Sequence, residues 1–427
     1  MFDLPVLPQV SLHAGEAELI QKIAHLERVK SAAAAGQARA AAALEQLRKA
    51  REAAAGTPSD RLGRGVASEV ALARRDSPAR GSRHLGFAKA LVHEMPHTLS
   101  ALECGALSEW RATLIVRESA CLDVEDRRVL DAELCGEVGK LDGMGDARIA
   151  AAAKTIAYRL DAQAVVDRAA KAVADRTVTI RPAPDTMTYV TALLPVAQGV
   201  GVYAALKRAA DTTSDRRSRG QVMADVLVER ITGRCSSEPE PIAVNLVLSD
   251  ETLLGGEQPA VVGGYGPIPA VIARDLVATA LSNVRTMSTL RRLYRHPRTG
   301  DLVAMESRSR RFPRGLARFI GVRDQTCRTP YCDAPIRHRD HARPHNRGGL
   351  TTAENGLGLC ERCNYVKESP GWQVVGAHQK GTHTVNFITP TGVRYRSTAP
   401  PLPGTPAIVV VEVKVKVGVD MQYLHVA

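Results

Sequence analysis

The sequence predicts an α+β protein in which a mainly α N-terminal domain runs into a mixed α/β segment and then into a small metal-stapled module. Three observations carry this expectation. A proline-free stretch rich in Ala, Leu, Glu, Lys and Arg runs from Glu16 to Ala54; short β-like runs begin only at Thr177; and four of the eight cysteines fall between residues 327 and 363. At 427 residues the chain is too long for one ordinary core. We divide it into an α-rich domain (1–175), its mixed α/β continuation (176–306), the cysteine-bearing module (307–375) and a β-rich extension with a tail (376–427).

The stretch Glu16 to Ala54 is a long helix by propensity, and Thr57-Pro58-Ser59 ends it. Helical patterns recur at Arg64 to Arg74, His84 to Glu94, Ser108 to Ser119, Val124 to Leu134 and Asp146 to Asp175, with Met95-Pro96 and Gly143-Met144-Gly145 as breaks. Strand-like runs follow at Thr177 to Arg181, Met187 to Leu194 and Ile242 to Leu248, alternating with helices near Gly201 to Ala210, Gly220 to Ile231 and Ala270 to Leu281. Gly263 to Pro267 reads as a loop and not as a phosphate cradle, because it has turn character throughout and precedes Ile-Pro. Leu290 to Arg295 and Leu302 to Glu306 make a hairpin around Pro297-Arg298-Thr299-Gly300. Trp372 to Val375, Thr384 to Ile388 and Val393 to Arg396 resemble strands, Pro400 to Pro406 is a linker, and Val409 to Val417 is a half-solvated strand or a loose tail.

Lys and Arg outnumber Asp and Glu by 57 to 45, a net charge of +12 that favours a polyanionic partner. From Met305 to Pro370 thirteen basic residues face seven acidic ones, so half of the excess sits in the module. Neither a basic-then-apolar leader nor an apolar run of membrane-spanning length occurs, and a cytoplasmic protein is expected. In that compartment two close cysteine pairs point to metal and not to disulfides. Cys327-x4-Cys332 and Cys360-x2-Cys363 each offer two thiolates from a tight turn; four sulfurs complete a tetrahedral Zn²⁺ site, which is therefore structural and helps a module with few large apolar residues to fold.

Between the knuckles lies Asp340-His341-Ala342-Arg343-Pro344, then Gly348-Gly349-Leu350-Thr351, then Asn355; the second knuckle continues as Cys363-Asn364-Tyr365-Val366-Lys367. Phosphodiester hydrolysis needs an activated water, a cation against the developing charge, and groups that position both. An imidazole titrates near neutrality, so His341 suits the general base; Asp340 offers a hard oxygen to Mg²⁺ or Mn²⁺ from the other face of the same strand, and Asn364 offers a second. Together these residues resemble the HNH nuclease family, in which a two-stranded hairpin and a helix (ββα-metal) grip one catalytic cation. The resemblance implies that Asn355 orients His341 and pins the hairpin, that Lys367 contacts phosphate or caps the fold, and that DNA is cut to leave 5′-phosphate and 3′-hydroxyl ends. The third name position is Asn364 and not His, which shifts the preference toward Mg²⁺ or Mn²⁺.

The stretches Thr177 to Asp185, Leu193-Leu194-Pro195 and Gly371-Trp372 extend the likeness to an actinobacterial family that joins an α-rich domain of unknown function, number 222 of its catalogue, to an HNH module. Duplex DNA is the expected partner, held by Arg308, Arg310, Arg311, Arg314, Arg318, Arg323 and Lys367 with little regard for sequence. Phe312, Phe319, Tyr331 and Tyr365 are too sparse for a single-strand stacking platform. The rival readings are a non-catalytic zinc-containing DNA-binding or scaffold protein, and an interaction protein whose N-terminal domain does the work. His345 reads as substrate-contacting or merely exposed, and no residue sets an oligomeric state.

Overall fold

The computed structural model describes residues 14–137, 139–213, 216–233, 246–263, 265–282, 306–307, 311–379, 382–402, 411–417 and 420–426. The chain divides into two units, residues 1–172 and 173–427. The first is helical: α1 (Glu16–Ala54), α2 (Val66–Ala73), α3 (Pro78–His93), α4 (Pro96–Glu103), α5 (Glu109–Glu118), α6 (Val124–Cys135), α7 (Asp146–Leu160) and α8 (Ala162–Ala172). From Ser31 to Ala42 the buried positions of α1 (Ser31, Ala34, Ala35, Ala38, Ala41 and Ala42) are small, and α3 and α4 pack against the helix; Glu45 and Arg48 are its buried charged residues. Leu91, Met95, Leu102, Ile115, Leu130 and Ile149 fill the core. Arg48 and Glu69 form a buried ion pair at 2.7 Å.

Two breaks differ from the sequence reading. Pro96 does not only stop a helix; it is the first residue of α4, where a missing N–H costs nothing, and Asp131 of α6 accepts from His97 N at 2.7 Å and Thr98 N at 2.8 Å. The expected helix Asp146 to Asp175 divides at Asp161, which leaves helical geometry (φ −143°, ψ 90°) and accepts from Ala164 N at 2.8 Å, capping α8.

The second unit begins with an antiparallel hairpin, β1 (Thr177–Pro182) and β2 (Thr188–Leu193), followed by α9 (Val196–Thr212) and α10 (Arg219–Thr232). Ser218 and Gln221 form a capping box at the start of α10. β3 (Leu246–Val247), α11 (Asp250–Leu253), β4 (Ala260–Val262), β5 (Gly266–Ile268) and α12 (Ala270–Ser282) build a small sheet in the order β3-β4-β5 with helices attached. Gly266 and Pro267, expected in a loop, thus belong to a strand. Residues 242–245 of one expected strand, and the expected hairpin before Glu306, lie outside the described residues.

The cysteine-bearing region comprises β6 (Glu306–Ser307), α13 (Arg314–Asp324), β7 (His338–His341), β8 (Thr351–Thr352), β9 (Gly356–Leu359), α14 (Glu361–Val366), and the meander β10 (Gln373–Gln379), β11 (Thr382–Ile388) and β12 (Arg394–Thr398). β13 (Val411–Val417) pairs with β14 (Asp420–Val426), so the expected tail strand has a partner that its sequence does not advertise. The core does not stop at residue 375: Leu357, Leu359, Val374, Val385 and Phe387 pack together with the four cysteines. A buried ionic cluster ties the same parts. Asp324, whose side chain is fully buried, bonds Arg323, Arg328 and Gly358 N, while Arg328 also reaches the His383 and Ser397 carbonyls. Residues of β11 and β12 thus pack on the same core as the cysteines.

Candidate functional site

The first knuckle follows α13. Cys327 N donates to Ala334 O at 2.9 Å and Cys332 N to Thr329 O at 3.0 Å, and Tyr331 takes φ +62° to close the turn. Cys360 caps α14, its sulfur accepting from Cys363 N. The sulfur of Cys332 lies 3.8 Å from that of Cys360 and 3.7 Å from that of Cys363, and all four sulfurs lie within 4.8 Å of one another. A tetrahedron with Zn–S near 2.3 Å has edges of about 3.8 Å. Mutual S–H hydrogen bonds draw the Cys327 and Cys360 thiols down and push those of Cys332 and Cys363 up, a conflict that one shared cation removes. The cluster is a site able to hold a metal such as zinc.

β7 and β9 pair antiparallel, setting Asp340 opposite Leu357 and His341 opposite Gly356, and α14 packs on β7. A cleft of about 760 Å³ opens there, lined by Asp340, His341, Arg311, Arg339, His345 and Glu368 among others. Adjacent residues of a strand were expected to serve opposite faces, yet Asp340 and His341 both line this cleft. The reason is that β7 ends at His341, and the Asp340 carboxylate folds back to accept from His341 N at 2.9 Å, lying 3.6 Å from the ring's Nδ1.

His341 is 5% exposed, and its Nε2 lies 2.9 Å from Thr351 Oγ1. Burial pushes the imidazole below its ordinary value, and the Asp340 charge offsets this only in part. For Asp340, burial raises the carboxyl, but the Lys367 ammonium at 2.9 Å and the His341 N–H outweigh it and hold the group below the usual range, ionised at neutral pH. Asn364 Oδ1 is buried and has no hydrogen-bond partner among the described residues.

The expected set is therefore brought together in part. Among the described residues no hydrogen bond joins Asn355 to the His341 ring. Its amide accepts from Arg343 N at 2.8 Å and donates to the Arg343 and Leu350 carbonyls at 3.1 and 2.8 Å, locking the loop between β7 and β8. Thr351 holds the imidazole instead; Thr351 was visible in the Gly-Gly-x-Thr run but its role was not. Arg311, Arg314 and Arg318 are exposed, whereas Arg308 and Arg310 lie outside the described residues. Arg323 is buried against Asp324 and the Ala353 and Gly356 carbonyls, so it has no face for a polyanion. Lys367 is likewise buried, paired with Asp340 and Glu368, and does not present itself to phosphate. The exposed Arg339, missed in the sequence reading, lines the cleft from the strand position just before Asp340.

Among the described residues no helix is long and apolar enough to cross a membrane. A family model described as "Domain of unknown function (DUF222)" matches residues 23–324, ending just before the first knuckle. No curated protein and no solved structure matches the chain.

Proposed function

The chain belongs to the DUF222 family, and we propose that its cysteine-bearing module is a metal-dependent DNA endonuclease of the HNH type. The observation that carries the reading is one cleft holding an ionised carboxylate (Asp340) and a buried imidazole (His341), beside a helix whose Asn364 oxygen is buried and unpartnered. The resemblance of the motif order to an actinobacterial HNH family adds to it. An ionised carboxylate and a donor-less amide oxygen form the hard donor pair that Mg²⁺ or Mn²⁺ takes, and the four sulfurs are the donor set of structural Zn²⁺. Asp340 and Asn364 would hold the divalent ion, which would supply charge against the phosphoryl and leaving oxygens.

The chain's own residues do the rest. With Nε2 bonded to Thr351 and Nδ1 3.6 Å from the Asp340 carboxylate, the His341 ring is held in place to take a proton from the attacking water, and burial favours the neutral ring that can accept it. Arg311 and Arg339 on the cleft and Arg314 and Arg318 on α13 are exposed cations that attract phosphates by displacing counterions. The products are 5′-phosphate and 3′-hydroxyl ends. One observation favours the rival, a zinc-containing scaffold: Lys367 pairs with the carboxylate that a catalytic cation needs.

The test is cleavage of supercoiled plasmid in Mg²⁺, Mn²⁺ or chelator. His341→Ala slows it roughly 10²- to 10⁴-fold without loss of zinc, and Asp340→Ala loses activity that higher metal partly restores. A parent that cuts in no divalent metal, or a His341→Ala protein as fast as the parent, overturns the reading in favour of the scaffold.

A further inference from the structure

The N-terminal stretch of α1, from Glu16 to Lys30, carries an apolar stripe that lies open. Burial in this helix starts at Ser31, and every residue from Glu16 to Lys30 is exposed or half-buried. Ile20 and Ile23 are 66% and 63% exposed, and Leu19 is 37% exposed. None of Leu19, Ile20, Ile23 and Leu26 packs into the core of the helical unit, although they are the large apolar side chains of this stretch before Val29. Along the helix Glu16, Leu19, Ile23, Leu26 and Lys30 follow one another at intervals of 3, 4, 3 and 4 residues. That is the heptad spacing, which sets side chains on a single seam. Ile20 widens the seam on one side. The seam is apolar in its middle, with a carboxylate at one end and an ammonium at the other.

Read in the opposite direction the seam repeats in kind: Lys30 takes the place of Glu16, Leu26 that of Leu19, and Ile23 is its own mate. A second copy laid antiparallel about a two-fold axis at Ile23 therefore sets Leu19 beside the second copy's Leu26 and each Glu16 against the other's Lys30, the self-complementary contact that a two-fold requires. A parallel copy would set Glu16 against Glu16 and Lys30 against Lys30. We propose that residues 16–30 of α1 dock antiparallel on the same segment of a second copy of this chain. Charge complementarity chooses the occupant and its direction. Lys30 already bonds Glu27 at 2.7 Å, but those side chains are 73% and 53% exposed, so the ammonium is free to share at little cost. A seam about 21 Å long lies at the small end of stable interfaces, so the dimer is weak and grows with concentration. The docking is independent of the nuclease reading and of the chemistry in the cysteine-bearing module.

The experiment is sedimentation velocity of the full-length protein at low salt, over about 1 to 100 µM. The parent passes from monomer to dimer across that range. Glu16→Lys alone, or Lys30→Glu alone, turns two attractions into two repulsions and weakens the dimer roughly tenfold. Glu16→Lys with Lys30→Glu exchanges the two charges and restores the parent's dimer, which a parallel pair would not do, since like charges would still face each other. Ile23→Ser removes the apolar centre and leaves a monomer. Far-ultraviolet circular dichroism of every variant matches the parent's, because the positions changed are exposed on a helix that the rest of the unit anchors. A parent that stays monomeric throughout, a dimer that a single reversal or Ile23→Ser leaves unchanged, or a double reversal no tighter than the single ones overturns the inference.

Discussion

Replacing Asp324 by Asn tests whether one buried carboxylate holds the module together. The carboxylate accepts from Arg323 Nε at 2.7 Å and Nη2 at 3.0 Å, from Arg328 Nη1 at 2.8 Å and from Gly358 N at 2.7 Å. Its side chain is 0% exposed, and those of the two arginines are 4% and 3% exposed. Asn keeps the shape but removes the anion that pairs with both buried cations, and its NH₂ aims a donor at donors. Breaking a buried pair in this way costs about 3–5 kcal/mol, against about 5–15 kcal/mol for a whole domain. With a urea m-value of about 2 kcal/mol/M, the midpoint falls by about 2 M. Trp372 is 4% exposed inside the module and Trp110 is 56% exposed in the other unit, so emission in a Trp110→Phe background reads the module alone. A midpoint shift smaller than about 0.5 M refutes the reasoning and makes the cluster a passive by-product of packing.

Four further outcomes are expected. His383 is pushed by burial, and then by the Arg323 charge, from 6.5 to about 4, so its unfolded form protonates first; stability present above pH 6.5 drains as pH falls toward 4, by about 3 kcal/mol at 1.36 kcal/mol per unit. A His383→Asn protein with the same urea-midpoint slope between pH 7 and 4.5 as its parent sinks that assignment. Elemental analysis finds one zinc per chain, and Cys360→Ser with Cys363→Ser loses both the metal and the buried Trp372 signal; a metal-free parent that is fully folded removes the staple. Thr351→Val lowers kcat for plasmid by roughly ten- to a hundredfold with little change in KM, because the His341 ring loses its anchor; an unchanged kcat means that Asp340 alone orients the ring. Lys367→Met frees the Asp340 carboxylate from its ammonium, so Mn²⁺ binding read by electron paramagnetic resonance tightens roughly tenfold. Unchanged or weaker binding there supports the scaffold.

The sequence made some of this visible because the signals are local. Propensity alone places α1 from Glu16 to Ala54, since 39 residues without proline need no tertiary contact to read as helix. Asp161 was hidden because it is a good cap and an ordinary helix residue at once, and only the turn away from helix tells which it is. Pro96 carried two meanings, stop and first turn, and Asp131, thirty-five residues later, selects the second. The short strands β4 and β5 are three residues each, below the length at which alternation separates from noise.

At the site the limit is different in kind. Cysteine spacing identifies four sulfurs that gather, and Asp340-His341 a pair that shares one cleft, because metal and proton chemistry restrict residue type at fixed intervals. What spacing cannot carry is the charge partner of each group, since that depends on which side of a packed helix a neighbour falls. Arg323 and Lys367 looked like the exposed arginines around them, yet both are buried, one pairing with buried Asp324 and the other with Asp340 at the cleft. The first pairing removes Arg323 from the cations expected to meet a polyanion and gives it to stability. The second bears on the proposed function, because on that reading an ammonium and a divalent ion compete for the same carboxylate. On the proposed reading the ammonium holds the carboxylate until a cation takes it, on the rival reading the pair is permanent, and Mn²⁺ binding by the Lys367→Met protein decides between them.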